Sequence, residues 1–202
     1  MPGESAIVDK VLKLAKKTGV LRIKDLALMG IHPEYVRRLT VRGLLVRSGR
    51  GLYILPDADV TENHTLAEAC KRVPQGVVCL LSALRFHNIG TQMPHEVWLA
   101  INRNASRPRV DYPPLRIMRF SGPALTEGVE VHNIEGVKVK VYSPAKTVVD
   151  CFKYRNKTGL DVALEALRYC WHSRRCMMDE FWHFANICRV ANVMRPYLES
   201  LV

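Results

Sequence analysis

Acidic residues are scarce in this chain where basic ones are dense. Residues 1–56 hold 4 Asp/Glu against 11 Lys/Arg, a net of +7, whereas residues 57–202 hold 15 against 19, a net of +4. Most of the +11 therefore sits on the first quarter of the chain. Charge concentrated in this way suits a polyanion, of which nucleic acid is the commonest. Long hydrophobic runs are missing too. The longest nearly apolar stretch, Gly76–Leu84, is far shorter than the roughly 20 residues that span a bilayer. No secretory-signal pattern opens the sequence. The six cysteines (Cys70, Cys79, Cys151, Cys170, Cys176, Cys188) include no C-x-x-C pair, so free thiols in a reducing cytoplasm are expected, with no membrane partner.

Catalytic signatures are also lacking. There is no G-x-S-x-G, no phosphate-cradling glycine loop and no H-E-x-x-H. Cys170, His172, Cys176, His183 and Cys188 match no zinc spacing, and Cys170 and His172 point to different faces of a helix. Asp57-Ala58-Asp59 has the form of a magnesium-holding carboxylate pair. Nucleotidyl transfer also wants a Gly-Ser turn upstream and a third carboxylate, and here the upstream order is Ser48-Gly49. The pair reads as a polar linker. Lys146 and Asp150, four apart, read as a helix ion pair. His64, His87, His95, His132, His172 and His183 read as packed or exposed residues. Neither a catalytic residue, a cofactor nor a metal is expected, and the chain does not read as an enzyme.

What is present is a globular composition, 48% apolar over 202 residues, with a length that suits two small domains. A first helix is expected over Ser5–Lys17, capped by Ser5, with Ile7, Val8, Val11, Leu12, Leu14 and Ala15 as its apolar stripe. Val20–Ile23 is too short to stand alone as a strand but can pair with a later ribbon. A second helix follows over Ile23–Met29, then a turn at Gly30, then a third helix over Pro33–Arg42 with Val36 and Leu39 inward. Two β-prone runs, Leu44–Arg47 and Leu52–Leu55, flank the turn Ser48-Gly49-Arg50-Gly51. Helix, turn, helix and basic ribbon make a winged helix-turn-helix. In that module the third helix enters the major groove and the wing holds the sugar–phosphate backbone. Arg38 and Tyr35 are the expected base contacts, since arginine can bond two acceptors on a guanine edge. Arg37, Arg42, Arg47 and Arg50 are expected to grip phosphates, with Lys24 near the start of the second helix as a further anion contact.

Beyond a linker at residues 56–59, Thr61 or Asn63 can cap a helix over His64–Arg72. A buried segment, Val77–His87, follows, with Ser82 opening a helical turn. Strands are expected over His95–Ile101, Leu115–Phe120, Val129–Asn133 and Val137–Tyr142. An arginine-rich loop, 103–114, carries Arg103, Arg107 and Arg109. This loop, with Lys153, Arg155 and Lys157, is a solvated surface or touches an acidic partner or more DNA. Ser143 and Pro144 start a helix with Val148, Val149 and Phe152 inward. Further helices follow Gly159 and span about Asp179–Arg189, and Pro196 starts or kinks a last one. The expected fold class is α+β: a winged helix-turn-helix over 1–56, then an α+β domain over 62–202 with about four strands followed by three or four helices.

The stretches RGLYILP, LAEACKRVPQGVVCLLSALRFHNIGTQMPHEVWLAI and EGVKVKVYSPAKTVVDCFKYRNKTGLDVALEALR resemble antitoxins of the abortive-infection E (AbiE) family, the protein halves of type IV toxin–antitoxin pairs in phage defence. SPAKTVVDCFKYRNK and ALRFHNIG are the most specific parts. The resemblance implies an N-terminal winged helix-turn-helix that represses its own operon at inverted repeats in double-stranded promoter DNA. It also implies a C-terminal antitoxin domain that counters a nucleotidyltransferase-type toxin, directly or functionally. Repression then maps onto Tyr35, Arg37, Arg38, Arg42, Arg47 and Arg50, and neutralisation onto the second domain as a whole. A single module of this kind typically buries roughly 600–1,000 Å² on DNA, so two copies on a repeat are expected, through protein contacts or through the DNA. The competing reading is a one-component regulator whose second domain senses a small ligand in an enclosed pocket.

Overall fold

The computed structural model describes residues 2–58 and 61–201. Helix α1 (Pro2–Thr18) begins before the expected cap, so Ser5 lies within its first turns and is not its N-cap. Its stripe buries Val11 and Ala15, and Lys16 and Lys17 fill the last turn, where a cation complements the helix dipole. Strand β1 (Leu21–Arg22) runs into α2 (Ile23–Ala27), and α3 (Glu34–Val41) follows. The second helix is shorter than expected. Its chain turns over at Gly30 (φ +69), with Ile31 N–H bonding Leu26 C=O and Gly30 N–H bonding Ala27 C=O.

The same pair of bonds closes α3. Gly43 (φ +70) donates to Thr40 C=O and Leu44 to Leu39 C=O. Both joints are Schellman turns, in which a left-handed residue satisfies the last carbonyls. Gly30 thereby sets the turn from α2 toward α3, and Gly43 the turn from α3 toward the ribbon that follows. Pro33 stands at the N-cap of α3 rather than inside it. The wing is β2 (Val46–Gly49) and β3 (Leu52–Ile54), with an irregular register between Arg47 and Gly49 and a tip reduced to Arg50-Gly51. The three-stranded sheet runs β1-β3-β2, so Val20–Ile23 does pair with the ribbon. Leu21, Leu26, Ile31, Val36, Leu39 and Leu45 close a small core beneath it.

The linker passes through Asp57 and Ala58, while Asp59 lies outside the described residues. Helix α4 (His64–Arg72) follows as expected. The buried run at 77–87 then divides into strand β4 (Val77–Val78) and helix α5 (Leu80–Phe86). Ser82 therefore sits inside a helix capped at Cys79. Strands β5 (Val97–Asn102) and β6 (Leu115–Phe120) follow, then a short helix α6 (Pro123–Thr126) and strands β7 (Val129–Ile134) and β8 (Val137–Tyr142). Five strands, not four, make a mixed sheet ordered β6-β5-β4-β8-β7. Two-residue β4 is its centre, antiparallel to β5 and parallel to β8. Five helices come after it rather than three or four: α7 (Pro144–Lys153), α8 (Arg155–Thr158), α9 (Leu160–His172), α10 (Met178–Cys188) and α11 (Ala191–Glu199).

Alternate residues of each strand supply opposite faces. Trp98, Ala100, Met118, Phe120 and Tyr142 pack with α5, α7, α9, α10 and α11. Val97, Leu99, Ile101, Val139 and Val141 face α4, and Val20, Leu52 and Ile54 of the winged module join this second layer. That double covering explains why β5 reads as an unbroken apolar run. In α7 the Ser143 side chain accepts from Lys146 N–H, and Val148, Val149 and Phe152 are fully buried, as their spacing predicts.

The two modules meet along a tight seam. A Cβ on Gly19 would lie 1.3 Å from Glu135 O, and one on Gly136 would lie 2.8 Å from Gly19 N and Lys17 O. Polar contacts extend the seam. Arg22 holds Asp25 at 2.8 Å and donates to Lys71 C=O at 2.6 Å, and Lys71 Nζ reaches Asp25 at 3.2 Å. Ser48 Oγ donates to the buried carboxylate of Glu68.

Candidate nucleic-acid interface

Helix α3 is amphipathic over two turns, and its polar side is the candidate surface. Val36 and Leu39 are buried at three-residue spacing, which turns Arg37, Arg38, Val41 and Arg42 to solvent. Arg37 lies 3.4 Å from Glu34 one turn earlier, with 78% of its side chain exposed. An i,i+3 pair this exposed holds the arginine only weakly, so it remains available to a stronger anion. Arg38 places its guanidinium 5.8 Å from the centre of the Tyr35 ring. Tyr35 itself is half-buried and packs on the small core, so its ring is a fixed platform that steers Arg38 outward. Arg42 occupies the C-cap of α3, just before the glycine turn.

The wing adds two cations. Arg47 Nε donates to Gly49 C=O at 3.3 Å, which bends its side chain along the ribbon. Arg50 stands at the tip, next to Gly51 with φ +72. Its guanidinium meets Asp111 at 2.7 Å, both side chains being largely exposed. Lys24 is exposed on the first turn of α2. All of the expected residues except Tyr35 therefore present charge at the surface of one small module, and Arg50 also touches the loop that carries Arg107 and Arg109.

Arg50 also lines a feature that no single stretch of the sequence contains. A cleft of about 400 Å³ opens between the winged module and the second one. Its nine lining residues include Arg22, Lys24, Arg50, Arg72 and Arg109, and no carboxylate. Arg72 Nε and one terminal nitrogen are buried without a hydrogen-bond partner among the described residues. Arg22, by contrast, is committed to Asp25 and Lys71. Burial alone would raise the Asp25 carboxyl, but Arg22 and Lys71 together outweigh it and hold Asp25 below its ordinary value. Positions 22, 50, 72 and 109 share no motif, and only the docking of the modules brings them together.

A second charged group lies in the core of the larger module. Lys146 and Asp150 are an ion pair as their spacing suggests, at 2.6 Å, but both side chains are completely buried. Lys146 Nζ lies 4.2 Å from the Tyr142 ring centre and Cys188 Sγ donates to Asp150. Burial pushes the Asp150 carboxyl up, with Lys146 pulling it back. The six cysteines are buried free thiols. Among the described residues no helix is long and apolar enough to cross a membrane.

Comparison with known proteins bears on both fold and module. No curated protein matches the chain significantly. Among solved structures, the RV2827C protein from Mycobacterium tuberculosis superposes with a TM-score of 0.58 at 12% identity, over 90% of this chain and 70% of that one. At that identity the likeness is one of fold. Residues 9–56, from within α1 through the wing, match a family model described as a transcriptional regulator, AbiEi antitoxin.

Proposed function

We propose that this chain is a transcriptional autorepressor and antitoxin, with residues 1–56 as the DNA-binding domain and 62–202 as the effector domain. In this reading α3 enters the major groove of double-stranded promoter DNA. Arg38 bonds base edges from its Tyr35 platform, while Lys24, Arg37, Arg42, Arg47 and Arg50 hold phosphates on either side. The observation that carries the proposal is the coincidence of exposed arginines on α3 and the wing within the segment that matches the regulator family. Two copies on an inverted repeat supply the affinity that one small module lacks. The second domain counters a nucleotidyltransferase-type toxin, by direct binding or by acting on its effect. The clefts beside it open on its surface, as with the one of about 360 Å³ lined by Glu62, Arg85, Met93 and Tyr112. Such a surface suits a macromolecular partner better than the enclosed pocket of a ligand sensor.

Arg38→Glu is expected to abolish promoter binding in gel shifts while the circular-dichroism melt stays that of the wild type. Its side chain is exposed, where substitutions usually change stability by no more than about 0.5 kcal/mol. Unchanged affinity would remove Arg38 from the interface and the major-groove reading with it.

A further inference from the structure

We infer that the cleft between the two modules is a phosphate-binding site, and that the second module thereby forms part of the DNA interface. The inference rests on the proposed DNA-binding role and extends it beyond the winged module. Five of the nine residues lining the cleft are Arg or Lys, and none is acidic. A concavity lined in this way concentrates positive potential, because low-dielectric walls keep the field from being screened. Its natural occupant is an anion with several acceptor oxygens.

Arg72 sharpens the chemistry. It ends α4, and its Nε and one terminal nitrogen are shut away from water with no acceptor among the described residues. Those two nitrogens are packed away between the wing and α4, so the part of Arg72 that lines the cleft, with its remaining terminal nitrogen, is what an entering phosphate oxygen meets, as a charge-assisted donor. Gly49 makes room for the guanidinium: a Cβ there would lie 3.0 Å from its buried terminal nitrogen. The wing and the end of α4 are thus fitted to each other. Arg109 supplies the exposed wall opposite, from the arginine-rich loop.

The walls also say which phosphate. Lys24 at the start of α2 and Arg50 at the wing tip belong to the elements that flank α3, so a duplex engaged by α3 carries its backbone past the mouth of the cleft. A backbone phosphodiester is therefore the assigned occupant. Arg50, now paired with Asp111 at 2.7 Å, exchanges that exposed carboxylate for the phosphate as DNA arrives. Arg72 and Arg109 then grip the backbone without reading sequence.

The test is fluorescence-anisotropy titration of full-length protein against promoter and random duplexes over a range of salt concentrations. Arg109→Glu and Arg72→Gln are each expected to weaken both duplexes about tenfold or more, the effect of losing one charge-assisted contact. Each should lower the slope of log affinity against log salt by about one. Arg195→Glu, at an exposed position of α11 across the sheet from the winged module, makes the same charge change as Arg109→Glu and should leave affinity within about twofold. Unchanged affinity and slope in both cleft variants would overturn the assignment. If Arg38→Glu abolishes binding in that case, the cleft alone is misread; if it too is inert, the DNA-binding reading falls with it. Inorganic phosphate, added alone, separates a small ligand from DNA. Thermal stabilisation by millimolar phosphate that is lost in Arg72→Gln, with DNA affinity intact in both variants, would assign the cleft to a free phosphorylated compound. Loss of toxin neutralisation with intact DNA binding would assign it to an acidic protein surface. Either outcome overturns the inference.

Discussion

Replacing Lys146 by methionine removes one partner of an ion pair that no water reaches. Both side chains are 0% exposed, the Nζ–Oδ2 distance is 2.6 Å, and the ammonium lies 5.0 and 4.2 Å from the centres of the stacked Phe120 and Tyr142 rings. Methionine keeps most of the volume, so the loss is electrostatic: Asp150 is left with only the weak Cys188 thiol donor at 3.4 Å. Breaking a buried pair in this way costs about 3–5 kcal/mol. At about 2–4 °C per kcal/mol for a chain of this size, the melting temperature should fall by about 6–20 °C. The double variant Lys146→Met/Asp150→Leu removes both charges and should recover most of that loss, because two matched apolar side chains need no desolvated partner. Scanning calorimetry on wild type, both singles and the double closes the cycle. Arg50→Ala is the reference, since its pair with Asp111 is mostly exposed and such pairs contribute about 0–1 kcal/mol. A Lys146→Met shift no larger than that of Arg50→Ala would refute the reasoning that Asp150 is left as an uncompensated buried charge.

Glycine at the module seam gives a second expectation. Gly19→Ala and Gly43→Ala share the cost of a left-handed alanine, about 1–2 kcal/mol, since both have φ near +65. Only at Gly19 does the new Cβ run into a carbonyl, Glu135 O, whereas nothing lies within 4 Å at Gly43. Gly19→Ala should therefore unfold at clearly lower denaturant; equal midpoints for the two variants would show that the seam is not tight. Acid should also loosen the seam. Burial alone would raise both Asp25 and Glu135, but Arg22 with Lys71, and His64 with Thr61, hold them below their ordinary values of 3.8 and 4.5. A carboxyl lowered on folding contributes stability that is fully present above its unfolded value and lost as pH falls through its folded one. Urea midpoints should accordingly decline from about pH 5 toward pH 3, less steeply in Glu135→Gln; a decline over that range unaltered by the substitution would exclude Glu135 from the linkage.

The sequence by itself determined the elements whose signals are local. Pro33, Gly30 and Gly43 punctuate α2 and α3 because φ near −65° and φ above zero are properties of single residues. Val36 and Leu39 set which face of α3 is buried, and Ser143-Pro144 sets where α7 begins. The candidate surface on α3 and the wing was legible for the same reason. Tertiary structure alone decided the rest. Val77–Val78 is too short to declare itself, and becomes the central strand only because β5 and β8 supply partners on both sides. Lys146 and Asp150 read alike on a solvated helix and in a core, and burial follows from the sheet and helices that close over them. The basic cleft joins residues 22, 24, 50, 72 and 109 from both modules. Periodicity reports which way one segment faces; it carries nothing about which distant segment will face it, and that is settled only when the Gly19–Gly136 seam docks the wing against α4.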